Sequence, residues 1–196
     1  MTPVVCLITD RRRLGSSWQT ALVARVRAAA RAGVHLVQVR ERDLEGGALA
    51  RLVSACVEAV RGTRTRILVN DRLDVALAAG AHGVHLRGDS FAAPRVRACV
   101  PAPFLIGRSV HNVPDAVATA QAGGIDYLIF GTVFESTSKP GGGAVGLAAL
   151  AAVTAATPIP VLAIGGMTME RGRDAVAVGA SGIAAISMFD TLGGVP

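Results

Sequence analysis

Eight short apolar runs, at 4–9, 36–40, 66–70, 83–86, 104–109, 127–131, 161–165 and 182–187, recur along the chain. Each is the length of a strand rather than a helix, and most are rich in Val, Ile and Leu, as strands buried on both faces require. The pieces between them, such as 18–31 and 47–61, space apolar residues three and four apart and put arginines on the other side, the pattern of a helix covering a sheet. Regular alternation of strand and helix predicts the α/β class, and eight units predict a (β/α)8 TIM barrel. Four junctions repeat one device: Gly33, Gly80, Gly123 and Gly179 each follow a helical segment and precede an apolar run, where a left-handed cap turns the chain. No linker interrupts the series, so residues 1–196 are expected to form a single barrel domain.

At 196 residues the chain is short for such a barrel, which typically takes about 250. Only 188–196 follow the eighth run, with Gly193, Gly194 and Pro196 among them, which predicts a truncated or missing final helix. An apolar wall left uncovered there would be closed most simply by a second copy, so a homodimer is expected.

Composition excludes several classes. A 51% hydrophobic chain is not disordered, and Cys6, Cys56 and Cys99 lie far apart with no CxxC spacing, which argues for a reducing, cytoplasmic setting. The early Asp10 and the run Arg11, Arg12, Arg13 do not fit a secretory leader. The segment 140–169 is uncharged, but Pro158, Pro160 and its glycines break it, so it reads as a buried helix and strand and no membrane span is expected. The net charge of +6 comes from arginines scattered over helices without interleaved aromatic residues, so no nucleic-acid partner is expected. Lys139, the one lysine, stands in a glycine-rich loop where a flexible ammonium could reach a phosphate.

Ligands of TIM barrels bind at the C-terminal ends of the strands. The residues falling there are Gln38, Arg40, Arg42, Asn70, Asp71, His85, Arg87, Ser109, His111, Lys139, Gly165, Gly166, Ile186 and Ser187, a polar and mainly cationic set suited to an anionic substrate. Gly165 and Gly166 after the seventh strand, with Ile186 and Ser187 after the eighth, occupy the usual phosphate positions of this fold. His82 and His85 are three apart in or beside a strand and point to opposite faces, so they are not read as a metal pair. The GxGxxG match at 141–146 is set apart from its strand and belongs to the sixth unit, which argues against a dinucleotide fold and for a loop closing with Lys139 over the ligand. His111 is a residue type able to take and return a proton near neutral pH.

In this order Gln38-Val-Arg40-Glu-Arg42, Val69-Asn70-Asp71-Arg72, Gly83-Val-His85-Leu86, Gly107-Arg-Ser109-Val-His111, Asp126-Tyr-Leu-Ile-Phe-Gly131, Lys139-Pro-Gly, Ala163-Ile-Gly165-Gly166-Met167 and Ser187 resemble the thiamine phosphate synthase and thiazole tautomerase superfamily over nearly the whole chain. The resemblance implies a TIM barrel that binds a small phosphorylated thiazole. Synthases of this superfamily join hydroxymethylpyrimidine pyrophosphate to thiazole phosphate and hold magnesium between two carboxylates after strands three and four. Asp71 matches the first carboxylate, while Ser90 stands at the second place, one residue after Asp89, and Arg42 replaces the usual lysine. These departures, and the runs 107–111, 130–135 and 164–168, look more like the tautomerases.

The favoured expectation is therefore a thiazole tautomerase, an isomerase needing no cofactor or metal. On the resemblance His111 moves the proton, Gln38, Arg40, Arg42, Asn70, Ser109 and Lys139 bind substrate, and Gly165, Gly166, Ile186 and Ser187 hold phosphate. The alternatives are the magnesium-dependent synthase, a transferase using Asp71, and a non-catalytic regulatory relative that binds thiazole phosphate.

Overall fold

The computed structural model describes residues 2–135 and 143–191. Its eight strands are β1 (Val4–Ile8), β2 (Leu36–Val39), β3 (Arg66–Asn70), β4 (Gly83–Leu86), β5 (Leu105–Val110), β6 (Tyr127–Gly131), β7 (Val161–Ile164) and β8 (Gly182–Ala185). They are parallel and close in sequence order into a barrel, the consecutive arrangement rather than the doubly wound one a dinucleotide fold requires. Every residue of β2, β4 and β8 is buried, as expected of strands enclosed on both faces, and this is why they read as mainly apolar runs, with only Gln38 and His85 polar among them.

The covering helices are α1 (Trp18–Arg31), α2 (Gly46–Ala59), α3 (Leu73–Ala78), α4 (Ala93–Ala98), α5 (Val113–Ala122), α6 (Gly146–Ala156) and α7 (Met169–Ala177). With α3 and α4 only six residues each, the units around them are shorter than helix-length patterning alone suggests. That economy accounts for much of the compact length of the chain. After β8 the described chain makes a 3-10 turn, Ser187–Phe189. The uncharged stretch from 140 is resolved from Gly143 onward into α6 and β7, and among the described residues no helix is long and apolar enough to cross a membrane.

Two compact units make up the chain: one takes the segment up to Val5 together with Leu86–Ala185, the other Cys6–His85 and the chain from Ile186 onward. In the second unit β1, β2 and β3 run in register with Ile8 beside Gln38 and Gln38 beside Leu68, and Asn70 stands beside His85 of β4. Leu22 and Val26 of α1 and Leu52, Val53 and Cys56 of α2 are buried in this unit. In the first unit β5 to β8 are paired in the same fashion, with Ser109 beside Ile129 and Gly131 beside Ile164. Burying Leu or Val side chains of this kind stabilises by about 1.5–3 kcal/mol each.

All three cysteines are free thiols, as expected from their separation. Burial pushes the thiols of Cys6 and Cys56 up to about 12, which makes both inert at neutral pH.

Candidate functional site

The strand ends of the second unit present an amide pair and a bridged carboxylate. Gln38, 2% exposed at the end of β2, donates from Nε2 to Asn70 Oδ1 at 3.0 Å, and its own buried Oε1 has no hydrogen-bond partner among the described residues. A buried acceptor left open in this way favours a donor brought by a ligand. The adjacent Asp71 adopts a left-handed backbone, φ 62°, and donates its N–H to His85 O at 2.9 Å, so the chain turns sharply where β3 ends.

Arg40 follows β2 and donates its backbone N–H to Thr9 Oγ1 at 3.0 Å. Thr9 Oγ1 in turn donates to Glu41 Oε1 at 2.6 Å, and the same carboxylate accepts the Arg11 N–H at 3.2 Å on each oxygen. Burial pushes the Glu41 carboxyl above its ordinary value, and the hydrogen bonds from Thr9 and Arg11 pull it partly back. Burial likewise holds the half-buried Arg40 guanidinium below its usual value, with like-charge repulsion from Arg42 adding to it. An anion beside Arg40 would relieve both effects. Arg42 itself is exposed, and Ser187 starts the 3-10 turn that follows Ile186.

In the first unit His111 directly follows β5, is exposed, and places Nδ1 3.4 Å from Gly131 O at the end of β6. An Nδ1–H directed at that carbonyl leaves Nε2 as the basic nitrogen. Ser109 lies two residues earlier on the same strand. His82, half-buried, accepts the Ile67 N–H on Nδ1 at 3.0 Å and so serves the fold.

After β7, Gly165 (φ 107°) and Gly166 (φ 59°) both adopt conformations that L side chains avoid. A Cβ at Gly166 would lie 2.3 Å from Glu135 O, and one at Gly165 2.4 Å from Thr132 Cγ2, so glycine is required twice. Arg171, from the first turn of α7, donates to Gly166 O at 2.8 Å and stacks 5.0 Å from the Phe134 ring centroid. Two half-buried glycines at a strand end, next to a helix N-terminus and a guanidinium, suit a phosphate. Lys139 and the glycines at 141 and 142 lie outside the described residues.

Arg171, Thr9 and Glu41 carry no role in the sequence-based expectation. Glu41 lies inside the Gln38–Arg42 motif, but its burial depends on Thr9 and Arg11, about thirty residues earlier, and local spacing does not report such a pairing.

The family model described as thiamine monophosphate synthase (TMP-TENI) matches residues 5–189. The chain belongs to that family. It is 43% identical over 162 residues to the thiamine-phosphate synthase of Methanoculleus marisnigri, covering 82% of this chain and 76% of that protein. It is 37% identical over 185 residues to the Roseiflexus castenholzii thiamine-phosphate synthase, covering 94% and 79%. A solved thiamine phosphate pyrophosphorylase from Pyrococcus furiosus superimposes with a TM-score of 0.79 at 31% identity, over 94% of this chain and 85% of that one. The expected superfamily is thus shown, but these names are synthases, not tautomerases.

The magnesium cage that synthases of this TMP-TENI family employ can be tested against the residues present. Asp71 supplies one carboxylate. At the second place Ser90 offers an alcohol whose Oγ accepts the Arg87 N–H at 2.8 Å, and the neighbouring Asp89 is ion-paired with Arg87. Among the described residues no group of three or more His, Cys, Asp or Glu side chains is arranged to hold a metal. A neutral alcohol at the second place does not fit a two-carboxylate cage.

Proposed function

We propose that this chain is an enzyme of thiamine biosynthesis that acts on a thiazole phosphate, and that its activity is that of a thiamine-phosphate synthase. The reading is carried by identity of 37–43% to proteins of that name over most of the chain. In this reaction the thiazole ring nitrogen forms a bond to the pyrimidine methylene carbon, and the bond from that carbon to the pyrophosphate oxygen breaks with its electron pair. Arg40 and Arg42 would meet the charge of the leaving pyrophosphate, with the Gln38–Asn70 amide pair reading the pyrimidine end. Gly165, Gly166, Ile186 and Ser187 would receive the thiazole phosphate on backbone N–H groups, with Lys139 as a further cation.

A second reading, thiazole tautomerase, is favoured by one specific observation: Ser90 stands where the second metal carboxylate belongs, while His111 stands at the end of β5 with Nδ1 directed at a carbonyl. There the proton leaves ring C2 for His111 Nε2 and is returned to the exocyclic carbon, with no metal and no net redox change.

The two readings separate in one pair of assays. For the synthase, purified protein given both substrates should release pyrophosphate as thiamine phosphate forms. For the tautomerase, pyrophosphate should never appear and aromatisation of the dihydrothiazole carboxylate phosphate should proceed undiminished with chelator. Binding of thiazole phosphate without either activity would leave the regulatory relative.

Phosphate binding by the glycine pair has its own test. Gly166→Ala adds strain to a left-handed backbone and drives a methyl into Glu135 O, so the loop must move away from the ligand. Losing one charge-assisted hydrogen bond costs about 1.5–3 kcal/mol, so affinity for thiazole phosphate measured by calorimetry should fall about 10–100-fold. Unchanged affinity would remove these glycines from the phosphate site.

A further inference from the structure

Arg108 lies on β5 immediately before Ser109 and, by strand alternation, faces away from it. Its guanidinium reaches the loop between β4 and α4, where Nη2 donates to Gly88 O at 2.5 Å and Nη1 donates to Phe91 O at 3.1 Å. One planar fork holding two carbonyls three residues apart leaves that piece of chain little freedom, and a lysine in its place could not reproduce the geometry. Within the loop Phe91 is 73% exposed and Arg87 is ion-paired with Asp89.

The clamped end of this loop faces the histidine across the space of a missing side chain. A Cβ built on Gly88 would stand 4.0 Å from His111 Cδ2 and 3.9 Å from Ser109 O, ordinary contact distances. Gly88 therefore faces the Cδ2 edge of the imidazole across the space that one side-chain carbon would fill, and Nδ1 is 3.4 Å from Gly131 O. We propose that Arg108 is a positioning residue for His111: by pinning the Gly88 and Phe91 carbonyls it fixes the width of the gap between Gly88 and the ring, and so limits the room in which the ring can leave the Gly131 carbonyl, keeping Nε2 presented for proton transfer. This rests on the tautomerase reading for its catalytic consequence, but not for the contact itself.

The test is the nitrogen–proton spectrum of the His111 imidazole in the full chain without substrate, assigned by comparison with His111→Gln. In Arg108→Met the His111 ring signals should move and the Nδ1–H tautomer lose its dominance, whereas His82 ring signals stay in place. Arg108→Lys should resemble Arg108→Met rather than wild type. Where aromatisation is measurable, kcat should fall about 10–100-fold in Arg108→Met, with KM within about twofold. Should Arg108→Met not fold, Gly88→Ala, whose methyl meets the ring at ordinary distance, should still shift the signal of the carbon-bound ring proton. His111 signals and tautomer unchanged in Arg108→Met, or insensitive to Gly88→Ala, overturn the proposal. A wild type inactive in aromatisation whose ring signals respond to these variants refutes the tautomerase reading and leaves the positioning intact.

Discussion

Replacing His111 with glutamine is expected to slow aromatisation of the dihydrothiazole carboxylate phosphate by about 10²–10⁴-fold, the range a positioned proton carrier contributes. Glutamine keeps a polar side chain of similar reach, so the contact with Gly131 O at the end of β6 can survive while the titrating nitrogen is lost. Affinity for thiazole phosphate should therefore stay within about threefold, which amounts to less than about 1 kcal/mol. The same variant should leave pyrophosphate release from the synthase substrates nearly unchanged, because that bond exchange needs no proton moved by an imidazole. Single-turnover rates on both reactions check this. A large loss in the condensation and none in the aromatisation would reverse the role assigned to His111.

The second large effect concerns the fold. Gly182 opens β8, and a Cβ there would lie 2.0 Å from Val4 O and 2.6 Å from Val4 N. Both are backbone atoms, and Val4 N–H donates to Ser181 O at 2.9 Å, so neither strand can step aside without losing that pairing. Gly182→Ala should cost about 3 kcal/mol or more, the upper end of what overpacking a close-packed site costs. For a chain of this size that corresponds to a melting-point drop of roughly 6–12 °C. Gly143→Ala is the matched control, since nothing lies within 4 Å of the added methyl. Equal melting points for the two variants would mean that the contact at Val4 relaxes without cost.

Much of this architecture was open to reading from the chain itself, because strands enclosed on both faces are mainly apolar and helices on their outside are amphipathic. The eight runs correspond to the eight strands, although Phe104 precedes its strand and Thr9, Arg40, Gly165, Ile186 and Ser187 fall just beyond strand ends, where Arg40, for one, turns its backbone to a loop contact. The six-residue α3 and α4 were not evident, since a helix of under two turns leaves no periodic signature. At the site, the glycine pair was legible because only glycine tolerates φ of 107° and 59° in such crowding. The Gln38–Asn70 bond joins two residues that motif reading places in one site, but its direction and the open Oε1 required coordinates. Arg108 and Arg171 were invisible as functional positions, because each acts on backbone carbonyls, which have no letter in a sequence.

The Glu41 carboxylate, shared between the Thr9 hydroxyl and the Arg11 amide, has a consequence for how such chains diverge. Because one acid fastens the first loop to the end of the second strand, an insertion or deletion between positions 9 and 11 would also displace the backbone carrying Arg40. Variation in the anion recognition proposed for positions 40 and 42 should then be found in their side chains, with the length of the neighbouring loop held fixed.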